Sequence, residues 1–407
     1  MHELLPVIRQ VFPSANTCQT LATVVQANAQ GHRVLVETAE GHHDVFVKKI
    51  DAAHYTSKSW PDLRRTLFYL RTEVRFYTEF VPELQARGFM AVPKVYDASY
   101  DLEGLVEEAE SATDQSIPEP INWSAVGKGG SIVMESIDEP YFQDSPITID
   151  QAKETLSAVA AMHASAWEDV DLLQKAESRL SRGSYHLKTR NIKELEGIVG
   201  AWETFSSHFR HLDEALFERT RDMGRRIQAL AEYISDQVSP GPMDPYATLS
   251  HGDFKSMNCF LPHANTTTTR AVVLVDFAST GLGLGMSDVA MHIHHAILPE
   301  DLANGGEEEL FNHYLTQLNI RLETMNKFYP KDIALRHYRL AVADYFRFFL
   351  GRFWKTATPE AFEKKKESKN TALINRNVAS ALAFLDRVDK YLMHIETEKT
   401  LDTTCTN

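Results

Sequence analysis

His251-Gly252-Asp253-Phe254-Lys255-Ser256-Met257-Asn258, followed by Val272-Val273-Leu274-Val275 and then Asp276-Phe277, is the stretch that decides the reading of this chain. Asp253 and Asn258 sit in one short polar loop between hydrophobic segments. Asp276 ends the next apolar strand, so a hairpin can bring it beside that loop. Oxygen ligands from Asn258 and Asp276 suit Mg²⁺, a hard cation that keeps part of its water and binds nucleotide phosphates. Asp253 is then free to accept the proton of an attacking hydroxyl. A positioned base, metal-neutralised phosphates and in-line geometry are what phosphoryl transfer requires.

Upstream of this stretch the first fifty residues read as strands at 21–27, 32–38 and 44–50, short β-branched runs separated by turn residues. A helix is expected next. Ser59 can cap it, Pro61 fits its first turn, and Leu63, Leu67, Leu70 and Val74 recur at helical spacing until Pro82 ends or kinks it. Strands at 92–98 and 131–137 follow, with residues 108–128 between them read as a polar loop. From Thr148 and Gln151, which make a capping box, the pattern turns helical. Helices are expected at about 190–207, 212–238, 286–298, 305–323, 330–353 and 369–395, interrupted by a β hairpin at 259–276. The outline is an α+β chain: a small β-rich N-terminal lobe with one helix over 1–137, then a larger, mainly helical lobe over 138–407.

Composition agrees and excludes other classes. At 407 residues the chain exceeds the roughly 250–300 that one core usually fills. Its 42 Lys and Arg against 56 Asp and Glu give a net charge of −14, which argues against a broad nucleic-acid surface and weakly favours a cationic ligand. Cys18, Cys259 and Cys405 stand far apart and form neither a disulfide framework nor a metal knuckle, so a reduced, cytoplasmic setting is expected. No apolar run approaches the ~20 residues of a membrane helix. Residues 1–14 lack the basic start and apolar run of a secretion signal. Asn122 and Asn265 fit the glycosylation sequon and are read as chance matches. The sequence assigns no oligomeric state.

The spacing His-Gly-Asp-x4-Asn with a later strand ending in Asp-Phe resembles the signature of the aminoglycoside phosphotransferase and choline kinase group, nearest its CHK or ecdysteroid-kinase-like branch. Four fixed residues at ~5% each recur by chance about once in 400 such chains, and the second motif at the right distance makes chance rarer still. The resemblance covers residues 20–300 and implies a two-lobed protein-kinase-like fold. It also implies ATP and Mg²⁺ as cofactors and a small-molecule alcohol as acceptor. Lys48, in Val45-Phe46-Val47-Lys48, looks like the third-strand lysine that meets the phosphates. Lys49 competes for that role, and strand alternation sets it on the face opposite Lys48 and Phe46. Glu73 matches the helix residue that pairs with the lysine, with Glu79 as another choice. Glu135 and Ile137 lie where the backbone of the adenine hinge would be, so their side-chain identity would matter little.

The same resemblance makes Lys255 a contact to the transferred phosphate, or else a solvent-facing loop lysine. His163 and His251 are read as packing and bracing residues. Asp288 matches an anchor for the loop after the metal strand, or equally is a carboxylate favoured by a helix start. His292, His294 and His295 invite a metal reading, with His292 and His295 on one helical face, but no Cys or obvious third ligand accompanies them. The aromatic run from Tyr345 to Trp354 can line an acceptor pocket or form a buried stripe.

The departures matter too. No Gly-x-Gly-x-x-Gly loop is found; residues 28–31 hold one glycine. The metal motif reads Asp276-Phe277-Ala278, and the next helix follows within about ten residues. That disfavours a regulated protein kinase. Gly281, Gly283 and Gly285 are read as a structural turn. The expected function is ATP- and Mg²⁺-dependent phosphoryl transfer to a small-molecule hydroxyl, with Asp253 as base. The alternative is a nucleotide-binding pseudokinase acting through protein interaction.

Overall fold

Val34, Val36, Val45 and Val47 are fully buried, and of their neighbours along the strands all but Lys48 are half-buried or exposed. That period of two builds the sheet. In the computed structural model, which describes residues 4–25, 29–55, 60–102, 128–181, 185–187, 193–264 and 266–405, five antiparallel strands lie in the order β1-β2-β3-β5-β4. They are β1 (Thr17–Val25), β2 (Gln30–Thr38), β3 (Gly41–Asp51), β4 (Val95–Asp101) and β5 (Gly129–Glu135). β1 begins four residues before the expected start, because its polar half lies on an exposed sheet edge where apolar patterning carries no signal. The region expected as a polar loop, and the Ser59 cap, fall largely or wholly outside the described residues, as do both sequons.

One face of the sheet carries the four valines and Val133, and a short helix α1 (Leu5–Val11) packs Ile8 onto it. At seven residues α1 is too short for its periodicity to register, and it was not expected from the sequence. The other face holds Phe46 and Lys48 and turns toward helix α2 (Trp60–Arg75) and the rest of the molecule. Pro82 does not end the helical path. The chain passes through a wide turn at Phe76–Phe80, where the Val81 N–H reaches the Phe76 carbonyl, and continues as α3 (Val81–Ala86). A proline lacks the N–H that a helix interior needs but is tolerated in a first turn, so the widened turn accommodates it.

After the two-residue strand β6 (Tyr141–Phe142), the chain becomes helical with α4 (Ile149–Ser165). Thr148 and Gln151 cap α4 reciprocally. Helix α5 (Val170–Arg179), not expected from sequence, is capped by Asp169 through the Leu172 N–H. The expected helix at 190–207 is two pieces, α6 (Lys193–Glu196) and α7 (Ile198–Phe209), and that at 212–238 is α8 (Glu214–Arg219) and α9 (Met223–Gln237). Strands β7 (Thr248–Ser250), β8 (Cys259–Pro262), β9 (Val273–Leu274) and β10 (Gly281–Gly283) carry the decisive loop. They precede α10 (Gly285–Ala296), α11 (Pro299–Leu302), α12 (Gly306–Glu323), α13 (Lys331–Arg352), α14 (Pro359–Glu363) and α15 (Val378–Cys405). The last helix starts nine residues later than expected. Arg376 bonds the Thr371, Lys366 and Ser145 carbonyls, which holds that segment in a non-helical path.

The molecule is a two-lobed α+β fold, as expected. One hydrophobic core runs through both lobes, from Ile50, Leu67 and Phe76 to Phe346 and Leu385. Among the described residues no helix is long and apolar enough to cross a membrane.

Candidate active site

Phe277 explains how the decisive stretch is set. Its ring stacks on Phe76 at 4.3 Å between centroids and meets Tyr77, Phe89 and His251. With Phe277 fixed, Asp276 adopts a left-handed backbone (φ 65°, ψ 58°), which is uncommon for a residue with a side chain and clusters at functional sites. Its carboxylate then points at the sheet. Lys48 Nζ donates to Asp276 Oδ1 at 2.8 Å and to Glu73 Oε2 at 2.6 Å. The third strand, the helix after it and the hairpin therefore meet at one ammonium group.

Of the competing residues, Lys48 is buried and Lys49 half-exposed. Glu79 is engaged elsewhere, with Arg179 at 2.6 Å, whereas Glu73 is fully buried. Burial by itself would lower the Lys48 pKa, but the Asp276 and Glu73 carboxylates reverse that and hold it well above its usual range. Burial pushes the Glu73 carboxyl up against the pull of Lys48. Burial also works against the Asp276 carboxylate, yet Lys48 and Lys255 hold it down at about 2.

Asp253 lies in the loop between β7 and β8. Lys255 Nζ approaches its Oδ2 at 3.1 Å. Asn258 Nδ2 donates to the Asp253 carbonyl at 2.8 Å, which leaves Asn258 Oδ1 without a donor among the described residues. The Val275 N–H bonds the Asn258 carbonyl at 3.0 Å, tying the two halves of the hairpin together. A donor set of one amide oxygen and one carboxylate fits Mg²⁺, which takes one or two protein oxygens and completes its shell with phosphate and water.

The loop is held from behind by Asp288. Its carboxylate accepts the N–H of His251 at 2.6 Å and of Gly252 at 2.9 Å, and His163 Nε2 lies 3.0 Å away. Tyr314 Oη closes the chain on His163 Nδ1 at 2.7 Å. Asp288 thus anchors the loop that carries Asp253 rather than the loop after the metal strand. His251 braces the hairpin through Val275 O, and His163 is a packed, bonded core residue, both as expected.

At the expected hinge, the Glu135 N–H bonds the Lys94 carbonyl at 2.9 Å. The Ile137 N–H has no partner among the described residues. The Glu135 side chain, expected to matter little, accepts from the Lys94 N–H and from Arg270 Nη1, each at 2.6 Å. Two further residues were missed. Phe46 shares the Lys48 face, and its ring lies over Gly31, where any Cβ would overlap it. The signal was present in the strand alternation. Arg270, at the far end of the hairpin, gave no signal at all.

The three clustered histidines do not converge. His292 meets Thr155 at 2.7 Å and His294 lies toward Glu307, and among the described residues no group of three or more His, Cys, Asp or Glu could hold a metal. The aromatic run is the buried stripe, with Trp354 stacked on Phe205 at 4.1 Å. What α13 presents instead is Asp344, which lines a cavity of about 30 Å³ with Tyr185, His186, Ser250, Gly252 and Ser287. The glycines at 281–285 serve close packing. Gly281 and Gly283 pair with β7, and Gly285 abuts Tyr314 and His163.

A β3 lysine paired to a helix glutamate beneath a five-stranded antiparallel sheet, with Asp253, Asn258 and Asp276 opposite, is the protein-kinase-like arrangement. Residues 45–327 match the model of the ecdysteroid kinase-like family. Among solved structures, the chain is similar to an aminoglycoside phosphotransferase from Alicyclobacillus acidocaldarius (13% identity, 96% of this chain and 95% of that one, TM-score 0.47). It is also similar to a choline kinase from Cryptosporidium parvum (12% identity, 98% and 96%, TM-score 0.42). A third likeness is to a spectinomycin phosphotransferase solved with ADP and spectinomycin (12% identity, 95% and 93%, TM-score 0.42). No curated protein matches the chain in sequence.

Proposed function

The chain belongs to the ecdysteroid kinase-like family and is a small-molecule kinase; on that premise we propose that it moves the γ-phosphate of ATP to an alcohol, with Asp253 as the base and Asn258 and Asp276 as Mg²⁺ ligands. The observation that carries this reading is the meeting of Lys48, Glu73 and Asp276 at 2.6 and 2.8 Å, on the same hairpin that bears Asp253. A bound Mg²⁺ would supply neutralisation of phosphate charge. Glu73 holds Lys48 so that its ammonium faces the phosphates as a fixed charge. Asp253 accepts the proton of the acceptor hydroxyl, and Lys255 sits beside it to meet charge on the transferred group. Phe46 offers the adenine an aromatic roof, and the Ile137 N–H a hydrogen-bond donor.

The cavity of about 30 Å³ beside the loop has room for little more than a water, so it does not select the charge of the acceptor. The lobe division at residue 137 belongs to the same proposal, because it falls where the hinge strand β5 gives way to the catalytic lobe.

The test is γ-phosphate transfer from labelled Mg–ATP to a library of neutral and cationic alcohols, with Asp253→Asn beside wild type. Labelled product from wild type, lowered about 10²–10⁴-fold by the substitution, is expected. Equal product from both would remove Asp253 from the role. Mg–ATP binding by wild type with no product from any alcohol would favour the pseudokinase.

A further inference from the structure

Arg270 stands at the outer end of the hairpin whose inner end bears Asn258 and Asp276. Its Nη1 donates to the Val92 carbonyl at 2.7 Å and to Glu135 Oε1 at 2.6 Å. Its own carbonyl accepts from Tyr141 Oη at 2.9 Å and Thr268 Oγ1 at 2.8 Å. The same Glu135 oxygen takes the Lys94 N–H at 2.6 Å. A neighbouring backbone bond runs from the Leu274 N–H to the Ala91 carbonyl at 2.8 Å. Behind the hinge, β6 pairs with β8, and the His263 N–H bonds the Pro140 carbonyl at 2.8 Å. The hairpin is thus strapped to the strand ending in Glu135 on one side and to the chain just past it on the other. The Arg270–Glu135 pair is mostly buried, with side-chain exposures of 22% and 26%.

We infer that Arg270 is a positioning residue of the nucleotide site, which sets the spacing between the hinge that receives the base and the Asn258–Asp276 pair that holds the phosphate end. This rests on the nucleotide reading proposed above. A nucleotide bound at both ends gains from both only when their separation is fixed beforehand, because otherwise binding one end must also order the other. Two charge-assisted hydrogen bonds from one planar guanidinium fix direction as well as distance. Arg270 touches neither the Lys48 ammonium nor Asp253, so it acts through Glu135 and the hairpin backbone.

The experiment compares Mg–ATP with Mg–tripolyphosphate, which has no base, by calorimetric titration of wild type, Arg270→Gln, Arg270→Lys and Glu135→Gln. In Arg270→Gln, Mg–ATP affinity is expected to fall about tenfold, the scale of one charge-assisted bond lost. Tripolyphosphate affinity should change less than about twofold. Glu135→Gln should fall in the same way, and Arg270→Lys should recover part of the loss. Equal losses for both ligands would mark Arg270 as a merely structural brace, and no loss for either would also overturn the inference. Failure of wild type to bind Mg–ATP would overturn the nucleotide reading itself, and this inference with it.

Discussion

Gly285 shows how much a single position can carry. A Cβ there would overlap both Tyr314 Oη and His163 Nδ1. Those two groups hold each other, and His163 holds Asp288, which in turn fixes the His251 and Gly252 amides before Asp253. Gly285→Ala is therefore expected to act on Asp253, the proposed base, through this chain. Overpacking of this kind costs about 1–3 kcal/mol. Activity should fall more steeply than the urea midpoint alone explains, because the displaced group is the anchor of the catalytic loop. A variant with full turnover and a lowered midpoint would show that the anchor tolerates the shift.

At the scale of elements, α10 buries three histidines, His292, His294 and His295, in one helix. Burial holds His292 and His294 down at about 4 and pushes His295 lower than its usual range as well. An exposed histidine in the unfolded chain titrates near ~6.5. Between pH 6.5 and 4 the unfolded chain therefore binds more protons than the folded one. Stability from this source is complete above pH 6.5 and is lost as the pH falls toward 4. At pH 5 the loss is at most about 2 kcal/mol for each of His292 and His294. Urea midpoints measured at pH 7.5 and pH 5 should fall accordingly, and an unchanged midpoint would contradict the buried, neutral state. The pattern also accounts for the failed metal reading: each ring packs or bonds separately, His292 on Phe254 and His294 on Phe384.

Across the whole molecule, the two lobes share one core and also meet at a charged pair. Lys48 and Asp276 come from different lobes and neutralise each other at 2.8 Å. Mg–ATP that engages Asp276 through the metal and Lys48 through phosphate would draw both lobes onto one ligand. At a concentration a hundredfold above Kd, such binding stabilises the folded state by about 2.7 kcal/mol. The thermal midpoint should rise with Mg–ATP, and EDTA added to the same sample should return most of the shift. A rise that survives EDTA would mean that the nucleotide binds without the metal ligands proposed here.

The sequence by itself determined the fold class and the family, and it placed the proposed base and metal ligands within one loop and hairpin. Asp253, Asn258 and Asp276 are close along the chain, so their spacing was legible before any fold was known. Strand alternation separated Lys48 from Lys49, and the capping box at Thr148 placed the start of α4, because both signals depend only on neighbours a few residues away. Only the tertiary structure decided what depends on distant segments meeting. The choice of Glu73 over Glu79 needed the partner Arg179, a hundred positions further on. The role of the Glu135 side chain needed Arg270, 135 positions further on. Short elements such as α1 were hidden because a single turn or two gives no period to read. Local patterns are written in residue order, whereas burial and charge pairing are set by which surfaces the folded chain brings together.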